Sequence, residues 1–395
     1  MAIAIKMATG NMKMIWALVL TVTLVTAIAP SAEAGQFRKP VYYKLNGDPY
    51  QIITADFNGD GNLDLAVADL NGTGVFLGKG NGTFQSAQYF SAPGAVALAA
   101  GDFNGDGKLD LAVVESGGTG DGALAIFLGD GKGNFHKSVT YKLGPASGAV
   151  AVADFNGDGN LDIAATNAGV NGVGGSVMVF FGMGNGKFHA PAVYKFNGYL
   201  DAIATADLNG DHHPDIVAAA DGSSNVTVLM NDGRGGFKSQ RTYSAAQGAD
   251  GIAIADFRHN GILDLAVSGS HAVAVLLGNG DGTFGTAILY STDVGNGDAF
   301  AVVAADFRGD GKLDLAVERD NGPSALLYGN GDGTFQAAIP IKTRENGGFS
   351  LTVGDFNKDG FPDLAMDAIS LPQRFAGLAI LINKQWFLQK GRRDQ

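Results

Sequence analysis

The chain of 395 residues has no cysteine. That excludes a disulfide framework, a thiolate metal centre and a cysteine nucleophile together. Histidine is also scarce: the six are His136, His189, His212, His213, His259 and His271. A catalytic centre needs convergent groups, and no Gly-x-Ser-x-Gly, HExxH or Walker sequence supplies a local set. Positive charge is short, 27 Lys and Arg against 39 Asp and Glu, for a net −12. An acidic surface of that kind argues against nucleic acid and against an anionic membrane surface as partners. Sustained 3.6-residue periodicity is missing and 60 glycines interrupt the chain, so almost no helix is expected.

Long apolar runs are missing too, with one exception. Met14 to Ala29 follows Lys6 and Lys13 and precedes Ala32-Glu33-Ala34. This is the pattern of an export signal over residues 1–34, cleaved after Ala34. A retained membrane anchor is the competing reading; the run is short for a span, and no cysteine follows it for a lipid. Lys6, Lys13 and Glu33 carry a net +1, so the remainder carries −13. The expectation is a secreted, extracellular or periplasmic monomer with no membrane span after cleavage. Exported without disulfides, it needs another source of stability.

What is abundant is repetition. An acidic segment typified by "DFNGDGNLDLAV" starts at Asp56, Asp102, Asp154, Asp207, Asp256, Asp306 and Asp355, a period near 50 residues. Each copy follows a run rich in Ala and Gly, such as Ala95 to Gly101, and leads into an apolar run. A variable loop, a third apolar run ending in a Gly-rich turn and Phe, and a polar alternating stretch complete the unit. Four short strands per unit at this period describe a propeller blade. Small residues in the first strand suit a position at a crowded axis.

The two ends of the chain distinguish a closed ring from an open array. Six units reach the turn ending in Phe84, Phe135, Phe188, Phe237, Phe284 or Phe335, whereas the seventh stops at "LAILINKQWF" without its outer strand. The segment "GQFRKPVYY" from Gly35 matches the outer-strand segments of other units. The fold predicted is therefore all-β, a seven-bladed β-propeller over residues 35–385 with the N-terminal strand closing the last blade, and a tail over 386–395.

Within the acidic loop, positions 1, 3, 5, 7 and 9 are Asp56, Asn58, Asp60, Asn62 and Asp64, with Gly61 at 6. This is the spacing of the first nine residues of an EF-hand loop, an all-oxygen set that suits calcium and disfavours zinc or copper. An Asx-rich hairpin turn bonded to its own backbone is the alternative. The equivalent candidate ligands are Asp102, Asn104, Asp106, Lys108 and Asp110; Asp154, Asn156, Asp158, Asn160 and Asp162; Asp207, Asn209, Asp211, His213 and Asp215; and Asp355, Asn357, Asp359, Phe361 and Asp363. Lys108, His213 and Phe361 stand at position 7, where the backbone carbonyl serves. His212 replaces the position-6 Gly and predicts a strained left-handed residue. Arg258 with Asn260, and Arg308, alter the loops at Asp256 and Asp306. A guanidinium cannot ligate a cation but can pair with the remaining carboxylates in its place. Four or five structural Ca2+ ions are expected, with the loops at Asp256 and Asp306 empty.

These motifs, with "LLGNGDGTF" at Leu276 to Phe284, resemble FG-GAP/VCBS repeats, whose best-known members form the seven-bladed propeller of integrin α-chains. The resemblance covers the chain from about residue 35 to 385 and implies calcium at loop positions 1, 3, 5, 7 and 9. It also implies a choice of functions: adhesion, lectin-like sugar binding, or support of a lyase or lipase. The "GNGDG" turns at Gly278 and Gly329 resemble phosphate loops but lead into strands, and so read as hairpin turns.

Strand alternation puts the acidic loops and Gly-rich turns on one face and the variable loops on the other. The second face should carry Asp48, Tyr50, Glu115, Asp121, Asn171, Tyr199, Asp201, His271, Asp298, Glu318, Arg319, Arg344 and Glu345. A rigid ring bearing variable loops suits a binding module for an extracellular protein or glycan. A lectin-like propeller would want exposed aromatics there. A polysaccharide lyase or hydrolase would want Tyr, His, Arg or paired carboxylates converging in one cleft.

Overall fold

A computed structural model describes residues 36–384 apart from 117–120, 146–147, 168–174, 197–198, 222, 295–296, 344–346 and 371–374. The expected export signal and the tail over 386–395 lie outside the described residues. Among the described residues there are seven four-stranded antiparallel sheets and no helix, and hence no helix long and apolar enough to cross a membrane. Blade 1 runs from the axis outward as strand A (Pro49–Ala55), B (Asp64–Asp69), C (Gly72–Phe76) and D (Gln88–Phe90). Blades 2 to 6 repeat that order along the chain.

Blade 7 does not. Its strands A (Leu351–Gly354), B (Asp363–Ser370) and C (Phe375–Leu381) are completed by Val41–Lys44 from the start of the chain, paired Val41 to Ile380 and Lys44 to Gly377. Phe37 meets Phe307 of blade 6 edge-on, with ring centroids 5.9 Å apart. Gln36 donates to the Phe307 carbonyl at 2.6 Å and accepts from the Tyr328 hydroxyl at 3.1 Å. Phe37 therefore does for blade 7 what Phe84 and Phe135 do for blades 1 and 2. Those rings pack edge-on against Phe356 and Phe57, the position-2 residues of the preceding acidic loops.

Strand B shows why the blades stack. It is sandwiched on both faces, so "DLAVAD" at Asp64–Asp69 is buried at every position instead of alternating. Each interface between neighbouring blades holds its own apolar cluster, including the one joining blade 7 to blade 1 through Phe356, Leu378, Ile52 and Phe76. The core is thus a ring of seven layers, and the A strands of adjacent blades touch around the axis. Small residues there let seven strands converge.

Candidate metal centres

The seven acidic loops share one backbone path. In the first, Asp56 Oδ1 accepts from the Gly59 amide at 2.8 Å and Oδ2 from Gly61 at 2.7 Å. Asn58 Oδ1 accepts from Asp60 at 2.9 Å, and Asp60 Oδ1 from Asn62 at 2.8 Å. Each oxygen-bearing side chain thus curls onto an amide two to five residues ahead. The loops at Asp102, Asp154, Asp207 and Asp355 repeat this wrapping. Asx bonding is therefore how the loop is built. It is compatible with a cation, because a carboxylate has about four lone-pair sites.

The wrapping requires left-handed backbone at two positions. Position 6 is left-handed in the first loop (Gly61, φ 80°), and His212 adopts φ 68° there, as its place in the motif predicts. Position 4 is left-handed as well: Gly59 has φ 72°, and His259 and Lys358 are held at φ 52° and 58°. The sequence reading missed this second position. Each non-glycine residue so placed costs roughly 1–2 kcal/mol.

Position 9 has a role beyond that expected of it. All seven of its aspartates, Asp64, Asp110, Asp162, Asp215, Asp264, Asp314 and Asp363, are 0% exposed. Asp64 Oδ2 accepts from the Phe57 amide at 2.9 Å and Oδ1 from the Gly78 amide at 2.7 Å, which clamps the acidic loop to the turn between strands C and D. The second of these bonds occurs in every blade. The turn must come close to make it: a Cβ on Gly78 would lie 2.1 Å from the Leu63 carbonyl oxygen. Among the described residues, no three acidic or imidazole side chains are gathered tightly enough to hold an ion by themselves. The position-9 oxygens face amides, and Asp60 Oδ2 accepts from the Asn58 side-chain amide at 3.1 Å.

The arginine-bearing loops show what these carboxylates select. Arg308 Nη2 lies 2.8 Å from Asp314 Oδ1 and 2.6 Å from the Gly329 carbonyl, and its Nη1 is 3.2 Å from Asp310 Oδ2. Arg258 Nη2 reaches Asp264 Oδ1 at 2.6 Å and the Gly278 carbonyl at 2.7 Å. In these two blades the chain supplies its own cation, bound to the position-9 carboxylate and a turn carbonyl. The guanidinium pairing expected from the sequence is thus present. The other five loops have no such arginine. Burial pushes the Asp64, Asp162 and Asp215 carboxyls up to about 6 and Asp363 up to about 7; amide donors oppose the shift, and the facing carboxylates at positions 5 and 1 add to it. All-oxygen loops rich in negative charge fit a hard divalent cation, with Lys108 Nζ already 3.4 Å from Asp106 Oδ2 in the loop at Asp102.

A pH test follows. A carboxyl raised in the folded state above its unfolded value of roughly 4 keeps a proton that the unfolded chain has released, so stability falls as pH rises through the window. Calcium-free protein should therefore melt at progressively lower temperature between pH 5 and pH 8. Saturating calcium should flatten or reverse the slope, because it binds the ionised form. A calcium-free melting temperature that rises across this range would contradict these shifts.

The opposite face carries a cavity of about 550 Å³ at the axis. Its rim is set by the residue six places before each acidic loop: Tyr50, Val96, Gly148, Asp201, Asp250, Phe300 and Phe349. Tyr50 and Phe349 are 39% and 38% exposed, and their ring planes lie within 12° of each other at a centroid distance of 6.2 Å. Phe300 meets Phe349 edge-on at 5.1 Å. Of the residues expected on this face, Asp48, Tyr50, Asp121, Asp201 and His271 are exposed. His271 lies 3.1 Å from Asp293 and 3.6 Å from Asp298. Glu115 is ion-paired with Lys137.

Two expectations are corrected. Glu318 and Arg319 are 1% and 0% exposed, at the end of a strand B covered on both sides by its neighbours. Glu318 accepts from the Ser324 hydroxyl at 3.0 Å, and burial, then the Asp367 charge, push its carboxyl well up. Asn171, Arg344, Glu345 and the Tyr199 side chain lie outside the described residues. Phe300 and Phe349 were not singled out from sequence. Aligning the seven copies at this one position would have exposed them, since it departs from the Ala and Val pattern around it.

A search of solved structures finds the same fold at low identity. A lectin of Agrocybe aegerita, described as recognising non-reducing terminal N-acetylglucosamine, is 21% identical over 81% of this chain and 85% of its own (TM-score 0.54). BBS1N, solved in complex with ARL6DN, is 14% identical over 89% and 98% (TM-score 0.59). Streptogramin B lyase is 15% identical over 89% and 100% (TM-score 0.56). No curated protein sequence matches the chain. The model of the FG-GAP-like repeat matches residues 56–113, 102–165, 207–267, 259–317 and 316–366, more than half of the chain. With seven blades, each carrying its acidic loop between strands A and B, the chain belongs to the FG-GAP-like repeat family.

Proposed function

We propose that this protein is an exported β-propeller, stabilised by calcium in the loops at Asp56, Asp102, Asp154, Asp207 and Asp355. Its role is to bind an extracellular glycan or protein through the face opposite those loops. One observation carries the reading. The seven blades repeat their A-B loops, clamps and inter-blade rings, yet at the rim of the axial cavity the equivalent positions hold Tyr, Val, Gly, Asp, Asp, Phe and Phe. A scaffold that repeats wherever packing demands it and varies at one rim has been diversified for contact. The propellers of like fold, one a lectin and one solved with a protein partner, support a binding use. The export pattern and the lack of cysteine agree with calcium in place of disulfides.

The deciding experiment is a screen of glycan arrays and surface proteins with the calcium-loaded protein, repeated with Tyr50→Ala and Phe349→Ala. A retained ligand should be lost with the rim variants while their melting temperatures hold. A ligand indifferent to the rim would place binding elsewhere and sink this reading.

A further inference from the structure

Within the calcium reading above, on which this rests, we infer that Lys358 is a resident cation that serves the acidic loop of blade 1 from the loop of blade 7, and so sets apart two calcium sites that are identical in sequence.

The loops at Asp56 to Asp64 and Asp154 to Asp162 both read "DFNGDGNLD". They also wrap alike. Asp56 accepts from the Gly59 and Gly61 amides at 2.8 and 2.7 Å, and Asp154 accepts from those of Gly157 and Gly159 at 2.8 and 2.8 Å. Asn58 and Asn156 each accept from the amide of the following aspartate at 2.9 Å. Nothing within the nine residues gives one site a different affinity from the other.

What differs is supplied by the preceding blade. Position 2 of each loop is docked on the turn between strands C and D of the next blade: the Phe356 carbonyl accepts from the Gly82 amide at 2.8 Å, and the Phe103 carbonyl from the Gly186 amide at 2.8 Å. Position 4 then overhangs the same turn. At the seam between blades 2 and 3 it is Gly105, where an added Cβ would lie 3.8 Å from the Gly184 carbonyl oxygen. At the seam between blades 7 and 1 it is Lys358, whose Cε lies 3.6 Å from the place of a Cβ on Gly80, the residue equivalent to Gly184. Its ammonium nitrogen ends 3.9 Å from the place of a Cβ on Gly61, beside position 6 of the blade 1 loop.

The lysine is held at φ 58°, a left-handed conformation that glycine takes at position 4 in blades 1 to 4 and 6. Foremost the Asn62 amide, against the effect of burial, keeps the Asp60 carboxyl below its usual range, and the charge of Lys358 adds to that. Arg308 fills its own loop by bonding the position-9 carboxylate. Lys358 instead stands beside its loop, where it offsets the negative charge without calcium and repels the ion that would replace it. A unit charge about 5–10 Å from a divalent ion at a wet surface changes binding several-fold, and salt screens it.

The test is a calcium titration of the full chain followed by amide NMR. The Gly61 and Gly159 amides report the two loops separately, because each donates to its own position-1 carboxylate. In low salt the midpoint at Gly61 should lie roughly threefold or more above that at Gly159, and in about 1 M salt, where the screening length is about 3 Å, the two should converge. Lys358→Gln removes the charge and should bring the Gly61 midpoint down to that of Gly159. Gly105→Lys should raise the Gly159 midpoint and leave Gly61 where it is. The turns beside the two loops also differ, Lys79 against Met183; Lys79→Met should move neither midpoint. Equal midpoints in the unaltered chain, or a difference that survives Lys358→Gln, would overturn the inference while calcium binding stands. No calcium-dependent shift at either glycine would overturn the calcium reading and the inference together.

Discussion

Removing calcium is expected to lower the melting temperature by roughly 10 °C, with full recovery when calcium is restored. Loops of this kind bind at roughly 10⁻⁴ to 10⁻³ M in extracellular modules, so about 2 mM calcium would stabilise each by about 0.6–1.8 kcal/mol through mass action. Five loops together would supply roughly 3–9 kcal/mol, and each kcal/mol moves the melting point of a chain this large by about 1.4 °C. Magnesium should not substitute, because it demands a tight octahedron and sheds water reluctantly. Asp60→Ala and Asp158→Ala should each remove one such increment. Asn260→Ala should not, because Arg258 already occupies that loop. Melting curves in chelator, calcium and magnesium give the answer, and an identical melting temperature in all three would eliminate the metal.

The second large effect is expected from one substitution. Arg308→Asn turns "DFRGDGKLD" at Asp306 to Asp314 into "DFNGDGKLD", identical to the loop at Asp102 to Asp110. Without calcium the variant should lose about 3 kcal/mol, because a carboxylate that is 0% exposed loses the guanidinium bound to it. The contact of Arg308 with the Tyr328 ring, 4.7 Å to its centroid, goes with it. With calcium most of that loss should return, since the new Asn completes the oxygen set, and sensitivity to chelator should grow by one site. Arg308→Ala serves as the contrast: it loses the same partner without gaining a ligand and should recover far less. If Asn and Ala respond alike to calcium, the loop oxygens do not form a cation site.

How far the structure could be read in advance depended on the range of the interactions. Seven copies of one motif, each bounded by turn residues, make the blades legible, and the missing outer strand together with "GQFRKPVYY" makes the clasp legible. The pairing of Arg258 and Arg308 with buried aspartates was legible because both partners lie within one loop. Features that join distant segments were not. Asp64 holds the Gly78 amide, a contact with a turn 14 residues on. Glu318 and Arg319 looked like face residues because their covering is supplied by other segments, Asp367 in blade 7 among them. The rim was half legible: Tyr50 and Asp201 were marked as face residues, but Phe300 and Phe349 sit in runs that otherwise read as strand A. A β-bulge has no sequence signature of its own, and only the pairing register, which passes over Tyr50 and Phe300, shows that the ladder breaks at the rim.

The clasp has a consequence in time. Val41–Lys44 is synthesised before any other strand of the ring, and its partner Phe375–Leu381 is synthesised last. The ring therefore cannot close until the whole propeller is available, and that final pairing spans more than 330 residues of chain. Long-range closure of this kind is slow and leaves partly formed sheets exposed while it waits. Nothing can lock into a ring while the chain is still being synthesised. A chain cut short by one blade has no seam to close, which makes closure a check on length.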